Sequence, residues 1–261
     1  MEHITEYLHK PDYEYWSLSS IFYQLLRDNK LFCGLTTFYK YVSREIIEAR
    51  RKKKPPKLYT RITSNYVFEK LHLDTTLLRL KNFTRVYITF VMDNFSRYIL
   101  GYTVSLNNKA TTVTELLKKV FEKHNLTHLT GQIIVDGGSE FEASFEKYVS
   151  STNFTRLVAQ KDIIQSNSNI EALNKIIKYS FLYQREFETP EELTTYLKEV
   201  IPKYQAIPKA VLFGLTPEEV LKGTIPDKQK YKKQITEAKK TRLAENRSTI
   251  CCKINLPLLD G

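Results

Sequence analysis

The sequence has few cysteines, and their number and spacing argue against a zinc site and against a disulfide-stabilised fold. Its 261 residues contain three cysteines, Cys33 and the adjacent pair Cys251-Cys252. No CxxC motif and no Cys/His spacing of a zinc site is present, and three cysteines do not make a disulfide framework. We therefore expect a reducing compartment and assign no role to the cysteine pair.

Long apolar runs are also absent from the sequence. The densest run, Val86 to Met92, is far shorter than the roughly 20 apolar residues that span a bilayer. The N-terminus, Met1 to Glu6, lacks the basic and then apolar form of a signal peptide. We expect a soluble, intracellular protein.

Acidic residues are outnumbered by basic ones. The chain has 29 Asp and Glu against 40 Lys and Arg, which gives a formal net charge of +11. Such an excess favours a polyanionic partner, most commonly a nucleic acid, although charge alone does not distinguish DNA, RNA and an acidic membrane surface. A hydrophobic content of 42% is enough for a buried core.

Two short amphipathic helices are predicted near the N-terminus. The first begins at Ser17 or Ser19, and the second begins near Thr36 and continues past Arg44. The face of the second helix opposite its apolar stripe carries hydroxyl and basic side chains, which are Thr37, Lys40 and Arg44. This pattern is typical of a helix-turn-helix DNA-binding module, and an ordinary helical hairpin is the alternative.

A basic, proline-containing stretch from Arg50 to Lys57 follows these helices. Its two prolines cannot continue a helix, so we interpret it as the boundary between a helical module and the main domain. The side chains of Arg50, Arg51 and Lys52 are candidates for contacts with DNA phosphates. The alternative is a solvated linker.

Three strands joined by short turns are predicted from about Glu69. The first has alternating apolar residues, which place Asp74 on the face opposite Leu71 and Leu73. A run rich in β-forming residues then predicts a central strand, and a third strand follows the turn at Asp93 to Arg97. We expect an antiparallel meander, with Asp93 serving the turn rather than catalysis.

Two further acidic residues complete a candidate site. Asp136 ends a short buried strand and is followed by Gly137 and Gly138, which can adopt positive φ and turn the chain away. Glu171 begins a predicted helix, and Lys175 and Lys178 lie on the same face at i+4 and i+7. Three carboxylates on two strands and a helix suit a pair of divalent cations.

These motifs resemble those of retroviral integrases and insertion-sequence transposases, the DDE group. Leu73 to Thr76 resembles the family's first Asp strand, Asp93 to Tyr98 its Asp-x-Phe-Ser-Arg turn, and Asp136 to Phe141 its second Asp motif. Ser166 to Glu171, followed by the two lysines, resembles its Glu helix. The 34 residues between Asp136 and Glu171 are close to the family's habitual spacing.

The resemblance implies an α/β fold and a metal-dependent activity on DNA. The expected fold is a ribonuclease-H-like core, a mixed five-stranded sheet flanked by helices, preceded by the helix-turn-helix-like module. The expected activity is strand cleavage and strand transfer at mobile-element ends with two Mg²⁺ (or Mn²⁺) ions. The implied catalytic residues and metal ligands are Asp74, Asp136 and Glu171, with Lys175 and Lys178 on DNA phosphates.

The resemblance also implies DNA partners and an organisation of the chain. Element ends and target DNA are the expected partners, bound by a homo-oligomer in the bacterial cytoplasm and associated with the nucleoid. We expect a DNA-binding module and linker at 1–57, a catalytic core at 58–223 and a basic extension at 224–261. The alternatives are a catalytically inactive DNA-binding relative and a ribonuclease-H-like nuclease acting on RNA–DNA hybrids.

Overall fold

The chain divides into two compact units. The computed structural model describes residues 2–42, 62–163 and 167–248. One unit combines residues 1–52 with residues 227–261, and the other spans residues 53–226. The C-terminal residues, which the sequence suggested as a separate extension, thus group with the N-terminal helices. No helix in the described ranges is long and apolar enough to cross a membrane.

The helices of the described ranges are, in chain order, α1 (Glu2–Leu8), α2 (Leu18–Arg27), α3 (Leu35–Tyr41), α4 (Ala110–Lys123), α5 (Ser144–Ser150), α6 (Ser168–Ser180), α7 (Pro190–Gln205), α8 (Pro217–Leu221) and α9 (Lys232–Ser248). The strands are β1 (Lys70–Arg79), β2 (Arg85–Asp93), β3 (Ile99–Ser105), β4 (Gly131–Val135) and β5 (Phe154–Val158).

The larger unit is built on one five-stranded sheet. The strand order is β3-β2-β1-β4-β5. The first three strands pair antiparallel, as the predicted meander requires, and β4 and β5 continue the sheet parallel to β1. This mixed sheet, flanked by helices, confirms the predicted ribonuclease-H-like fold class.

Helices cover both faces of the sheet. The side chains of Leu71 and Leu73 pack with α4 and α5 on one face. Leu78, further along β1, and Leu80, just after it, pack with α6 and α7 on the other face. The strand β2 contributes to both cores, which explains why its sequence is almost continuously apolar. The helix α6, which carries Glu171, is therefore fixed against β1 by apolar burial.

The smaller unit has its own apolar core around α2 and α3. Ser17 is the N-cap of α2, as predicted, because its hydroxyl accepts a hydrogen bond from the Ser20 amide. In α9, the Arg242 side chain donates to the carbonyl oxygen of Phe32 at 2.6 Å. The prediction that the second helix continues past Arg44 is wrong, since α3 ends at Tyr41 and the next residue is extended. Threonine and aromatic residues, which dominate α3, are weak helix formers.

Candidate active site

Asp74 lies where two neighbouring strands of the sheet separate. The strand β1 pairs with β4 only over Lys70–His72, whereas its pairing with β2 continues to Arg79. The chain leaves β1 toward β2 and returns to its other side as β4, so this is the topological switch point where crevices form. Leu71 and Leu73 are in the core on the opposite face, so the predicted orientation of Asp74 is confirmed.

Asp136 follows the last residue of β4 and is exposed. Its Oδ1 accepts a hydrogen bond from the Gly138 amide at 3.1 Å. The prediction of positive φ is wrong for Gly138, whose φ is −70°. The Glu140 carboxylate packs closely against this glycine instead, because a Cβ atom there would lie 2.5 Å from it.

Glu171 lies in the first turn of α6 and is exposed to solvent. One turn further, Asn174 is buried, and its Nδ2 donates to Asp74 Oδ2 at 2.6 Å. The other carboxylate oxygen of Asp74 accepts from the amide of Thr75 at 3.0 Å. The helix that carries Glu171 therefore contacts the carboxylate of Asp74 directly.

The electrostatics of Asp74 link the three acidic residues. The pKa of Asp74 is raised to about 7, mainly by burial and next by the negative charge of Asp136. Hydrogen bonds from Thr75 and Asn174 act in the opposite direction, and the charge of Glu171 adds a smaller upward shift. Asp136 and Glu171, which come from distant parts of the chain, are therefore both within electrostatic range of Asp74.

The side chains do not form a ready-made metal cluster. Within the described ranges, no group of three His, Cys, Asp or Glu side chains is arranged to hold a metal ion as it stands. The surroundings nevertheless fit a cation. Mutual repulsion disfavours ionised Asp74, and the buried Oδ1 of Asn174 has no hydrogen-bond partner. Asp136 and Glu171 are exposed, so their side chains have rotamer freedom to turn toward such an ion.

A buried polar network fixes α6 to β1 beside the acids. Asn167, which immediately precedes α6, donates from Nδ2 to the carbonyl oxygen of Leu73 at 3.0 Å. Its Oδ1 lies 2.5 Å from Nδ1 of His72, and both side chains are buried. Burial lowers the pKa of His72 to about 4, so the imidazole is neutral at neutral pH. The network sets the position of the Glu171 helix relative to Asp74.

The second nitrogen of His72 faces Asn94. The distance from Nε2 to Asn94 Oδ1 is 3.1 Å, and the same oxygen accepts from Asn169 Nδ2 at 2.7 Å and from Arg97 Nη1 at 2.7 Å. A neutral imidazole carries one N–H, so it can donate to only one of its two oxygen neighbours. The shorter contact favours donation from Nδ1 to Asn167.

Replacing Asn167 with alanine is expected to lower the free energy of unfolding by about 1–3 kcal/mol, because the Leu73 carbonyl and His72 lose buried partners. Urea unfolding followed by circular dichroism measures the change. The exposed Asn153, replaced in the same way, serves as the control and should change stability by less than about 0.5 kcal/mol. An unchanged midpoint for the Asn167 variant would contradict the role of the network.

The predicted DNA-binding lysines lie on the same helix as Glu171. Lys175 is exposed, and Lys178 is half-buried. Burial lowers the pKa of Lys178, while the nearby charge of Asp74 acts in the opposite direction. Its ammonium group therefore lies within electrostatic range of the candidate site.

The other predicted DNA-binding residues belong to the smaller unit or lie outside the described ranges. Thr37 is half-buried and Lys40 is exposed, both on α3. The remaining four, which are Arg44, Arg50, Arg51 and Lys52, lie outside the described residues.

Asp93 was interpreted as a turn residue, and its contacts agree. The carboxylate is fully buried and accepts hydrogen bonds from the amides of Phe68 and Ser96 at 2.7 Å each and from the Ser96 hydroxyl at 2.6 Å. Its oxygens are thus used to hold the β2–β3 turn.

The sequence interpretation missed Asn174, Asn167 and Asn94. A signal was available only for Asn174, because a residue three positions after Glu171 on a helix lies on the same face. The other two contact His72 across 95 and 22 positions of the chain, which no local pattern reveals.

Residues 65–170 match the family model of the integrase core domain. The matched range contains Asp74 and Asp136 and ends one residue before Glu171. No curated protein sequence matches this chain.

Several solved structures are similar to the chain at low identity. The catalytic core domain of HTLV-2 integrase in complex with magnesium is 14% identical over 59% of this chain and 97% of that one, with a TM-score of 0.45. A simian T-cell lymphotropic virus intasome in complex with PP2A regulatory subunit B56 gamma is 16% identical over 80% and 77%, with a TM-score of 0.49. The catalytic domain of the Mos1 mariner transposase is 10% identical over 52% and 70%, with a TM-score of 0.42.

The matched residues and the topology of the sheet, rather than these distant similarities, indicate the class of this domain. Residues 65–170 thus match an integrase core domain, and the mixed five-stranded sheet that they contain has the ribonuclease-H-like fold.

Proposed function

We propose that this protein is a DNA transposase or integrase, a DDE polynucleotidyl transferase that cleaves and joins strands at mobile-element ends with two Mg²⁺ or Mn²⁺ ions. The observation that carries the proposal is the position of Asp74 where β1 and β4 separate, hydrogen-bonded at 2.6 Å to the helix that carries Glu171. The raised pKa of Asp74, caused by burial and by the charges of Asp136 and Glu171, supports it. Acids that repel one another in a crevice lower stability unless cations are bound there. The integrase core match supports the same activity.

The proposed reaction has two steps with one chemistry. In the first step, water attacks a phosphodiester at the element end, so that a new O–P bond forms and the bond to the 3′-oxygen breaks. In the second step, the freed 3′-OH attacks a phosphodiester of target DNA, and the bond from that phosphorus to its own 3′-oxygen breaks. Two divalent cations would supply charge neutralisation and Lewis-acid polarisation for both steps.

The residues of the chain would bind and orient in this scheme. Asp74 would bridge the two cations, with Asp136 binding one and Glu171 the other. Asn174 orients the Asp74 carboxylate through its 2.6 Å hydrogen bond. The network at Asn167 holds the start of α6 on β1, so that Glu171 remains within reach of Asp74.

Contacts with DNA would come from both units. Lys175 and Lys178 would hold phosphates beside the acids, through contacts that weaken as salt concentration rises. Thr37 and Lys40 on α3, together with Arg44, Arg50, Arg51 and Lys52, would bind element ends through a helix-turn-helix-like module and its basic linker. We propose that the protein works as a homo-oligomer on DNA in the nucleoid-containing cytoplasm of a bacterium.

Strand joining on short DNA duplexes tests the function. Duplexes that carry the inverted repeats flanking the coding region, and scrambled duplexes of equal composition, are incubated with protein in Mg²⁺ or in EDTA. We expect joined products only with Mg²⁺ and only with the repeats. Binding without joining would instead support the inactive DNA-binding relative, and cleavage confined to RNA–DNA hybrids would support the nuclease.

A further inference from the structure

A cleft of about 580 Å³ lies between the β1–β2 hairpin and the residues that follow α6. Its lining combines four leucines with aromatic and basic side chains and one carboxylate, and includes Arg79, Lys81, Phe83, Tyr183, Arg185 and Glu186. We call it the hairpin cleft. Sites of this size bind small molecules or single units of a polymer.

Phe83 at the tip of the hairpin is exposed without a reason in the local fold. Its side chain is 78% exposed, and its φ is +64°, in the left-handed region that favours glycine. The Leu80 amide donates to the carbonyl oxygen of Thr84 at 2.9 Å, which closes a three-residue loop, and within it the Phe83 amide donates to the carbonyl oxygen of Leu80 at 2.9 Å. Glycine is the usual residue at the left-handed position of such loops. Turn chemistry and burial would both disfavour phenylalanine here, so we infer that the ring has a partner.

Two arginines oppose each other at the base of the same loop. Arg79 and Arg85 are directly paired across β1 and β2, and both are exposed. Like charges directly opposite on neighbouring strands repel one another. Among the described residues, no ion pair joins either of them to a carboxylate, whereas Lys81 is 3.5 Å from Glu188 and Arg185 is 3.2 Å from Glu192. The arginine pair therefore provides two positive charges for an anionic partner.

The hairpin cleft is connected to the candidate active site along α6. Lys175 lies one turn after Glu171, and its Nζ is 5.8 Å from the ring centre of Tyr179. The ring of Tyr179 is 5.2 Å from that of Tyr183, which lines the cleft. Both tyrosines are more than half exposed, at 56% and 53%. Glu171 and Tyr179 are eight residues apart, or roughly 12 Å along a helix, which is about the length of three to four stacked bases.

We propose that the hairpin cleft and the adjoining Tyr179 bind an unpaired DNA strand as it leaves the active site. Bases of that strand stack on Phe83, Tyr179 and Tyr183, and its phosphates bind Arg79 and Arg85. Exposed aromatic rings interleaved with cations are the surface that single strands require, because every base has a flat face and every linkage a negative charge. The single carboxylate of the lining, Glu186, is outnumbered by the basic groups. The inference rests on the proposed function, since it concerns the DNA of the same site.

Binding of two labelled probes by the full-length protein in EDTA tests the inference. The probes are a 20-nucleotide oligothymidine and a 20-base-pair duplex. The Phe83→Gly variant suits the turn and should fold at least as stably as the wild type. We expect it to bind oligothymidine about tenfold more weakly (about 1.4 kcal/mol) and duplex within about twofold of the wild type.

Two controls match the variants in chemistry. Tyr66 is 58% exposed and precedes β1, at the far end of that strand from the hairpin, and Tyr66→Ala should leave both affinities unchanged.

The double variant Arg79→Gln/Arg85→Gln should lower the slope of log affinity against log salt for oligothymidine by about 1.4, at about 0.7 per phosphate. The exposed pair Lys118→Gln/Lys119→Gln on α4 removes equal charge and should leave the slope unchanged.

The outcomes separate this inference from the proposed function. Unchanged oligothymidine binding by Phe83→Gly, or an equal loss for both probes, overturns the inference, even if the wild type joins DNA strands in Mg²⁺. A selective loss of oligothymidine binding by Phe83→Gly supports single-strand binding at the hairpin cleft, even if the wild type joins no DNA. A wild type that binds neither probe overturns the inference, whereas the proposed function is decided by the joining assay on the inverted repeats.

Discussion

Replacing Asp74 with asparagine is expected to reduce Mg²⁺-dependent strand joining more than about a hundredfold while leaving DNA affinity within about twofold of the wild type. Residues that only support a metal ligand already contribute about 10–100-fold, and Asp74 is proposed as a direct ligand of both ions. Asparagine has the same shape and can still accept the hydrogen bond from the Thr75 amide. The variant should therefore fold normally, so that its loss of joining reports the missing charge.

The joining assay and a binding assay on the same inverted-repeat duplex measure the two effects. Asp136→Asn is expected to behave like Asp74→Asn. The exposed Glu115 on α4, replaced with glutamine, removes an equal charge on the opposite face of the sheet and should keep wild-type joining. Joining at the wild-type rate by Asp74→Asn would remove Asp74 from the site, and a parallel loss of DNA binding would point to a folding defect.

The sheet and the face of Asp74 could be predicted because both follow from local periodicity. Alternation along β1 separates Leu71 and Leu73 from Asp74, and the structure places both leucines in the core that Asp74 does not join. The nearly continuous apolar run of β2 predicts an inner strand, and that strand contributes to the cores on both faces. A sequence pattern indicates which face of a strand a residue occupies, and that information is sufficient to predict the inner strand and the face of Asp74.

The contacts around Asp74 could not be predicted in the same way. The bond between Asn174 and Asp74 spans 100 positions, and the contact between Asn167 and His72 spans 95. A pattern assigns each residue to a face but does not say which residue it will meet across the fold. The buried polar network depends on such long-range contacts, because each buried side-chain amide needs hydrogen-bond partners in place of water.

The backbone conformations of two turn residues also differ from what their residue types predict. Gly138 was expected to use positive φ, yet the structure uses its missing side chain to admit the Glu140 carboxylate. Phe83 is one of the non-glycine residues that do adopt positive φ, and residue preferences for turns do not predict a phenylalanine there. Both cases occur beside proposed functional surfaces, where local preference is most often overridden.

The stability of the wild type relative to Asp74→Asn is expected to fall as pH rises from about 4 to about 7. The pKa of Asp74 is about 7 in the folded protein, above the ordinary value of about 3.9 expected in the unfolded chain. Between these values the folded state holds a proton that the unfolded state has lost. The contribution of Asp74 is therefore fully present below the unfolded pKa and is lost as pH rises through the folded pKa. At about 1.36 kcal/mol per unit, the change is on the order of 2–4 kcal/mol.

Urea unfolding of both proteins at several pH values measures this difference, and the comparison removes the opposing contribution of His72. The pKa of that residue is lowered to about 4, so its contribution to stability is lost as pH falls from about 6.5, equally in both proteins. Because a divalent cation favours the ionised carboxylate, Mg²⁺ at about 100 times its Kd should restore about 2.7 kcal/mol to the wild type near pH 8. The same addition should leave Asp74→Asn nearly unchanged. A pH-independent difference would contradict the raised pKa, and equal stabilisation of both proteins by Mg²⁺ would contradict a metal site at Asp74.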